Sequence, residues 1–188
     1  MDFREYINIP WLILVIVWAV GAITAKRNKR TQPSVSLLIH AFLIVAAFAL
    51  LFWSRLSIGP LAWRFVPDSQ PFAAAGFVLT VAGVAVAIWA RFFLGRNWSG
   101  RVTIKQDHNL VRRGPYAIVR HPIYAGFVLA MLGTALALGE LRGLLAVVVA
   151  LIHWWGKSQI EEQFLLEQFG AEYAQYRREV KALIPFVL

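Results

Sequence analysis

Residues 106–126 read QDHNLVRRGPYAIVRHPIYAG, a polar and basic stretch in a chain that is 59% hydrophobic. Pro122 lies where this stretch meets an apolar run. Proline suits the first turn of a helix, because the amide hydrogen that it lacks would be unpaired there. The sequence therefore predicts a helix that begins at Pro122 and enters a membrane. The free amides at such a helix start suit an anionic group, although Arg, Pro and Tyr are also typical of a plain membrane-crossing helix.

The composition is that of an integral membrane protein. The 188-residue chain has a mean hydropathy of +0.61 and only 15% charged residues, whereas a soluble domain of this size needs a more polar surface. Several uncharged runs reach the roughly 20 residues that a helix needs to cross a bilayer. Cysteine is absent, which excludes disulfides and cysteine metal sites. The net charge of +9 fits loops that face anionic lipid, and no nucleic-acid partner is predicted.

The predicted fold is an all-α integral membrane bundle with about five transmembrane helices and a cytoplasmic C-terminal amphipathic helix. It is predicted to form a single membrane domain over 1–188. No cleavable signal peptide is predicted, and the first apolar run is interpreted as a membrane span. The predicted spans are about 7–25, 34–54, 72–94, 122–138 and 143–156. The last two spans are short and closely linked, so they are predicted to form a helical hairpin.

Lysine and arginine set the predicted orientation. Fifteen of the 19 basic residues fall within 26–30, 91–120 and 157–181, which share one side of a five-span arrangement. Basic residues favour the cytoplasmic side. The N-terminus is therefore predicted outside, while the loop 95–121 and the tail 157–188 meet at the inner membrane surface. Small size and the lack of targeting features fit a prokaryotic inner membrane.

Two adjacent glutamates, Glu161 and Glu162, follow the last predicted span. Carboxylates near the hydrocarbon edge are costly unless they are paired, and they often mark functional sites. The alternative is that the pair is solvated, or forms structural ion pairs with arginines of the basic loop.

The histidines do not predict a metal site. Their spacing matches no metal-ligand pattern, and neither a cysteine nor a His-x-x-x-His pair is present. The histidines considered are His108, His121 and His153. His40 lies within the second span and is interpreted as a packing hydrogen bond between helices.

The two polar segments together resemble a known family. HNLVRRGPYAIVRHPIYAG at 108–126, followed by EEQFLLEQFGAEYAQYRREVKALIPF at 161–186, is similar to the isoprenylcysteine carboxyl methyltransferase and phospholipid methyltransferase group. In that family H-x-L-V-x-x-G-x-Y leads into R-H-P-x-Y-x-G. A helical hairpin and an E-E-x-x-L-x-x-x-F-G-x-x-Y-x-x-Y tail follow. The resemblance covers roughly 90–186, while the first two spans match only in character.

The resemblance implies methyl transfer from S-adenosylmethionine to a lipophilic small-molecule or lipid acceptor at the cytoplasmic membrane face. It implies membrane lipids as neighbours, and neither a metal nor a protein partner. By motif position the implied cofactor-binding residues are Gln106, His108, Asn109, Leu110, Val111, Tyr116, His121, Pro122, Ile123, Tyr124 and Glu161. The implied catalytic residues are Glu161, Lys157 and Glu162.

Lys157 departs from the family pattern. Some members carry an arginine about four residues before the glutamate pair, assigned to the acceptor carboxylate. Lysine is a point charge without arginine's two-pronged geometry, so a prenylcysteine carboxylate acceptor is disfavoured here. An amine, a thiol or another carboxylate on a lipophilic body remains open.

Two other functions fit parts of the pattern. Sterol reductases, which use NADPH, have a similar R-H-P-x-Y-x-G stretch and tail, but they are generally longer. The short chain and the Glu161–Glu162 pair favour methyl transfer. A non-catalytic membrane subunit with this fold is the third interpretation, and the intact motif argues against it.

Overall fold

The computed structural model describes residues 2–23, 28–31, 34–95, 103–105 and 110–184. Within them the fold is helical apart from one short ladder. The helices are α1 (Asn8–Ile23), α2 (Ser34–Phe52), α3 (Gln70–Leu94), α4 (Pro122–Leu138), α5 (Leu141–Phe169) and α6 (Ala171–Glu179). The strands β1 (Asn28–Thr31) and β2 (Thr103–Lys105) pair antiparallel, and short 3-10 turns occupy Ser54–Leu56, Gly59–Ala62 and Gly114–Ala117.

Two of these helices, α3 and α5, are long and apolar enough to cross a membrane. Three shorter apolar stretches lie in α1, α2 and α4. The helix α4 has the predicted bounds, and α3 begins two residues before its predicted span of 72–94. Both have a proline in the first turn and stop at a positive-φ glycine, Gly95 for α3 and Gly139 for α4. These residues begin and end helices for local steric reasons.

The structure differs from the sequence prediction in α5. The sequence predicts that a span ends at 156 and that a separate polar helix begins at 157. In the structure, α5 is a single unbroken helix of 29 residues, Leu141–Phe169. Lys, Gln, Glu and Leu are good helix formers, so a change from apolar to polar residues changes the surroundings of the helix and not its backbone. The break comes at Gly170, which has a φ of 51°. One continuous helix therefore connects the apolar bundle to the polar site.

Helices α3 and α4 pack with their backbones in contact. A methyl group built on Gly83 would overlap the amide nitrogen of Ala130 and lie 2.6 Å from the carbonyl oxygen of Gly126. Gly76 and Gly133 meet the opposite backbone in the same way. Small residues let apolar helices approach closely, and van der Waals contact then holds them together.

A buried hydrogen-bonded network joins α1 to this helix pair. The indole Nε1 of Trp11 donates to the Thr134 hydroxyl at 3.0 Å, and that hydroxyl lies 3.1 Å from the Thr80 hydroxyl. Both threonines are fully buried. Each hydroxyl also reaches a backbone carbonyl of its own helix one turn earlier, so the polar groups are satisfied inside an apolar bundle.

Polar segments gather at two opposite ends of the bundle. At one end, Arg4 forms an ion pair with Asp68, and the backbone of Arg64 pairs with that of Glu140. At the other end, β1 pairs with β2, and residue 119 pairs with residue 181. Successive helices run between these ends in alternating directions. The loop before α4 and the segment after α6 thus lie at the same end.

Arg142 closes the α4–α5 turn against α2. Its Nε donates to Glu140 at 2.6 Å, and its Nη1 donates to the carbonyl oxygens of Leu50 and Leu51 at 2.9 and 3.1 Å. Those carbonyls belong to the last turn of α2, where helical acceptors lack partners. Burial would raise the pKa of Glu140, but the hydrogen bonds and charge of Arg142 outweigh it, and the pKa lies below its usual range.

Candidate active site

The start of α4 is fixed by the segment that follows α6. The amide of Arg120 donates to the carbonyl of Lys181 at 2.7 Å, and the amide of His121 donates to that of Ala182 at 2.9 Å. Ala182 and Leu183 are buried beside them. The first helical bond of α4 runs from Ala125 to His121. The segment after α6 therefore fixes the position of the first turn of α4 and of its free amides.

Glu162 lies at the centre of a buried ionic network. Its Oε1 accepts from Arg120 Nε at 3.0 Å and Nη2 at 2.6 Å, and it lies 3.1 Å from His121 Nε2. Arg177 Nε lies 3.1 Å from Oε2, although that oxygen has no aligned hydrogen bond among the described residues. Both Glu162 and Arg120 are almost fully buried. The network ties α5, α6 and the start of α4 together.

Arg120 also binds the chain that follows α6. Its Nη1 donates to the carbonyl of Arg177 at 3.2 Å and to that of Val180. Its five donors are thus shared between the Glu162 carboxylate and backbone carbonyls. A planar guanidinium presents donors in several fixed directions, and a lysine ammonium does not.

Two tyrosines dock α6 against the same region. Tyr176 donates its hydroxyl to the carbonyl of Tyr116 at 2.5 Å, and Tyr173 is the largest fully buried side chain among the described residues. Burial raises the pKa of both phenols. They remain protonated, and therefore able to donate, throughout the physiological pH range.

Glu161, unlike its neighbour, faces an open side of the site. Its side chain is 34% exposed, and its Oε2 accepts from the Tyr124 hydroxyl at 2.8 Å and lies 3.7 Å from His121 Nδ1. The Tyr124 ring stacks on His121 at 5.4 Å and on Trp154 at 6.5 Å. A partly exposed carboxylate thus sits beside stacked aromatic rings, an arrangement that suits an organic cation.

Lys157 approaches the same tyrosine from one helical turn earlier on α5. Its Nζ lies 5.6 Å from the centre of the Tyr124 ring. The site therefore presents an anion, Glu161, and a cation, Lys157, beside one aromatic ring. It can bind a cationic ligand and an anionic ligand next to each other.

The structure brings only part of the predicted set together. His121, Tyr124, Lys157 and Glu161 converge, whereas Glu162 is enclosed in the ionic network.

The side chains of Tyr116, Pro122 and Ile123 are buried, and Tyr116 packs against α3. Leu110 and Val111 line a groove of about 280 Å³ with Phe93, Arg112 and Arg113. The predicted residues Gln106, His108 and Asn109 lie outside the described residues.

Some contributors to the site were missed from the sequence. The sequence offers Arg120 as one of several possible partners for the glutamates, and it predicts no role for Tyr173, Tyr176 or Arg177. The spacing of three between the tyrosines places them on one helix face, which was the available signal. Among the residues that the structure describes, no three metal-ligating side chains come together.

The apolar crossing helices and the polar site at one end define a helical membrane protein. The sequence profile of the phospholipid methyltransferase family matches residues 72–172. The chain belongs to this family, as the motifs predicted.

Two curated relatives are methyltransferases by name. The Rattus norvegicus protein-S-isoprenylcysteine O-methyltransferase is 29% identical over 170 residues, which cover 88% of this chain and 59% of that enzyme. The Schizosaccharomyces pombe protein of the same name is 41% identical over 98 residues, covering 50% of this chain and 41% of the relative. This chain thus spans less than two thirds of the length of these relatives.

A solved structure agrees with the fold. The structure of a eukaryotic intramembrane Ras methyltransferase, isoprenylcysteine carboxyl methyltransferase, aligns with a TM-score of 0.55 and 27% identity. The alignment covers 83% of this chain and 54% of that one. The rat, yeast and Ras-modifying relatives are all methyltransferases by name, so the sterol-reductase alternative gains no support.

Proposed function

We propose that this protein is an integral membrane methyltransferase that uses S-adenosylmethionine to methylate a carboxylate on a lipid-tailed acceptor. The observation that carries the proposal is the placement of Glu161 and Lys157 beside the Tyr124 ring. When bound, S-adenosylmethionine would supply a sulfonium methyl group. A carboxylate oxygen of the acceptor would attack this methyl carbon in line with the C–S bond and form a methyl ester. The electron pair of the broken C–S bond would remain on sulfur, which leaves as S-adenosylhomocysteine.

The residues present fit this cofactor. Glu161 suits its ammonium, because a charge-assisted hydrogen bond is stronger than a neutral one. The stacked rings of His121, Tyr124 and Trp154 suit a sulfonium cation. The amides at the start of α4 suit the cofactor's own carboxylate. Leu110 and Val111, which line a groove with Phe93, provide an apolar surface for a nucleoside.

Lys157, in contrast to Glu161, favours an anionic group. Its positive charge repels a sulfonium and an ammonium, and attracts a carboxylate. Placing the acceptor's carboxylate near Lys157 leaves Glu161 for the cofactor. The protein's contribution is then to hold the two reactants in line, which is the main requirement of a displacement reaction.

The acceptor prediction from the sequence is revised. Lysine in place of arginine at 157 disfavoured a prenylcysteine carboxylate, but the relatives' names point to prenylcysteine O-methylation. The proposed acceptor is therefore a prenylated cysteine at the end of a protein or peptide, and a prenylated protein becomes a proposed partner. Lysine still binds a carboxylate, as a point charge.

Five crossing helices are proposed, since α1 to α5 alternate in direction between two polar ends. The end that holds the site also holds most of the basic residues that the structure describes, which favours a cytoplasmic location. A tag at the N-terminus is expected to be accessible from outside intact cells, and a C-terminal tag only after lysis. Finding both tags on one side would contradict five crossings, and the reverse pattern would contradict the orientation.

Replacing Glu161 by Gln is expected to weaken S-adenosylmethionine binding by about 30-fold or more, because an ammonium would lose its charged partner. The measurement is a calorimetric titration of detergent-purified protein. Glu167→Gln, on the same helix but farther from the site, is the control. Unchanged affinity in Glu161→Gln would remove this residue from the cofactor site.

The reaction class is tested by titrating S-adenosylmethionine, S-adenosylhomocysteine and NADPH in parallel. We expect the first two to bind and NADPH not to. Transfer of a labelled methyl group to N-acetyl-S-farnesylcysteine tests the acceptor, with an amine-headed phospholipid as the comparison. Labelling of the phospholipid alone would overturn the carboxylate acceptor while keeping the reaction class.

A further inference from the structure

A pair of histidines lies between α2 and α5, outside the site described so far. The rings of His40 and His153 meet edge to face, with centres 5.1 Å apart. His153 is 5% exposed, and His40 is half-buried. The Nδ1 atoms of both rings are buried without a hydrogen-bond partner among the described residues. An unpaired polar atom inside a membrane bundle is costly, which makes it a candidate for ligand binding.

The pair is continuous with the proposed active site. His153 precedes Lys157 by one turn of α5, and its ring contacts that of Trp154 at 5.4 Å. Trp154 in turn stacks on Tyr124. On the α2 side, Cε1 of His40 lies 3.5 Å from the position that a Cβ on Gly156 would occupy. Two imidazoles and an ammonium therefore occupy neighbouring positions along one seam.

The chemistry of this group favours an anion. The positive charge of Lys157 acts on both rings. Among the residues that the structure describes, Glu161 is the acid whose charge acts on Lys157. Imidazole N–H groups and an ammonium are all donors to a carboxylate. With only two histidines and no third ligand among the described residues, the group does not suit a metal.

The seam also borders the lipid. Ile39 on α2 and Ile152 on α5, each next to one of the histidines, are more than half exposed on the apolar surface. A lipid tail lying along this surface would bring its polar head to the histidines from the side. The head would then be one helical turn from Lys157 and close to Tyr124.

We infer that His40 and His153 form, together with Lys157, the binding site for the carboxylate of the lipid-tailed acceptor, so that the α2–α5 seam determines acceptor specificity. This inference rests on the proposed function. Such a site would select a carboxylate over neutral heads on the same tail, because a charged acceptor makes stronger hydrogen bonds to the buried N–H groups than a neutral one does.

The test compares two probes that carry the same farnesyl tail and differ only in the head group, N-acetyl-S-farnesylcysteine and its carboxamide. Each is titrated with and without S-adenosylhomocysteine, which binds without allowing turnover. The wild type is expected to bind the carboxylate about tenfold more tightly than the carboxamide, because hydrogen bonds to charged groups are the stronger ones. His153→Phe and His40→Phe keep a ring for packing but lose the nitrogens. Each is expected to lower this ratio severalfold, while Lys157 keeps part of the preference for the carboxylate.

The controls separate folding, cofactor and acceptor. The melting temperature and the affinity for S-adenosylhomocysteine should match wild type in both Phe variants, with His40→Gln as a second substitution if the ring change unfolds the protein. Ile152→Leu, on the lipid face, should keep the wild-type ratio. A wild-type ratio near one, or an unchanged ratio in both histidine positions, would overturn the inference. Failure of the wild type to bind S-adenosylhomocysteine would instead overturn the proposed function.

Discussion

Replacing Glu162 by Gln is expected to lower the free energy of unfolding by about 3–5 kcal/mol, the cost of leaving one partner of a buried ion pair uncompensated. Arg120 would keep its backbone acceptors but lose the carboxylate that neutralises it. The segment after α6 would keep its hydrogen bonds to the start of α4, but both would lose their ionic tie to α5. The measurement is thermal unfolding in detergent, followed together with protease sensitivity of the chain after residue 170.

The adjacent glutamate provides a matched comparison. Glu161→Gln is expected to leave stability nearly unchanged, because its side chain is partly exposed and accepts from a neutral hydroxyl. The two single substitutions thus separate a positioning residue from a binding residue. Equal melting temperatures for Glu162→Gln and wild type would show that Arg120 is held without its carboxylate and would contradict the assigned role.

Replacing Gly83 by Leu is expected to cost about 3 kcal/mol or more, because overpacking at this position is opposed by backbone. A Cβ would overlap the backbone of Ala130 on α4. Helices α3 and α4 would have to separate along their length, and the Thr80–Thr134 contact would be lost. The measurement is the fraction of monodisperse protein remaining after a heating series in detergent.

Ala82→Leu is the control for this substitution. Ala82 is the preceding residue on α3 and is exposed on its outer surface, so added methyl groups contact lipid or detergent. A leucine placed there is expected to leave stability near wild type. Similar losses in both variants would mean that the close α3–α4 contact does not limit stability.

Local signals in the sequence mark where two of the helices begin and end. Proline at the start and glycine at the end locate α3 and α4 because both residues act through short-range sterics. The continuation of α5 past 156 is not predicted from the sequence, because the change from apolar to polar residues at 157 is also typical of the end of a membrane span. The β1–β2 ladder was also missed, since both strands are short and lack an alternating pattern.

The roles of the two glutamates could not be separated from the sequence. Successive residues on a helix point about 100° apart, so one of an adjacent pair faces the core and the other does not. Which one does depends on the packing of α5. The partner of Glu162 lies 42 residues away among several arginines, and only the fold selects Arg120.

The close contact of α3 and α4 has a genetic consequence. Gly83 and Gly133 face main-chain atoms of the opposite helix, which are the same whatever residue stands there. A larger residue at either glycine therefore has no compensating exchange on the other helix, unlike a clash between two side chains. Revertants of a defective Gly83 allele should restore a small residue at that codon, and intragenic suppressors on α4 should be rare.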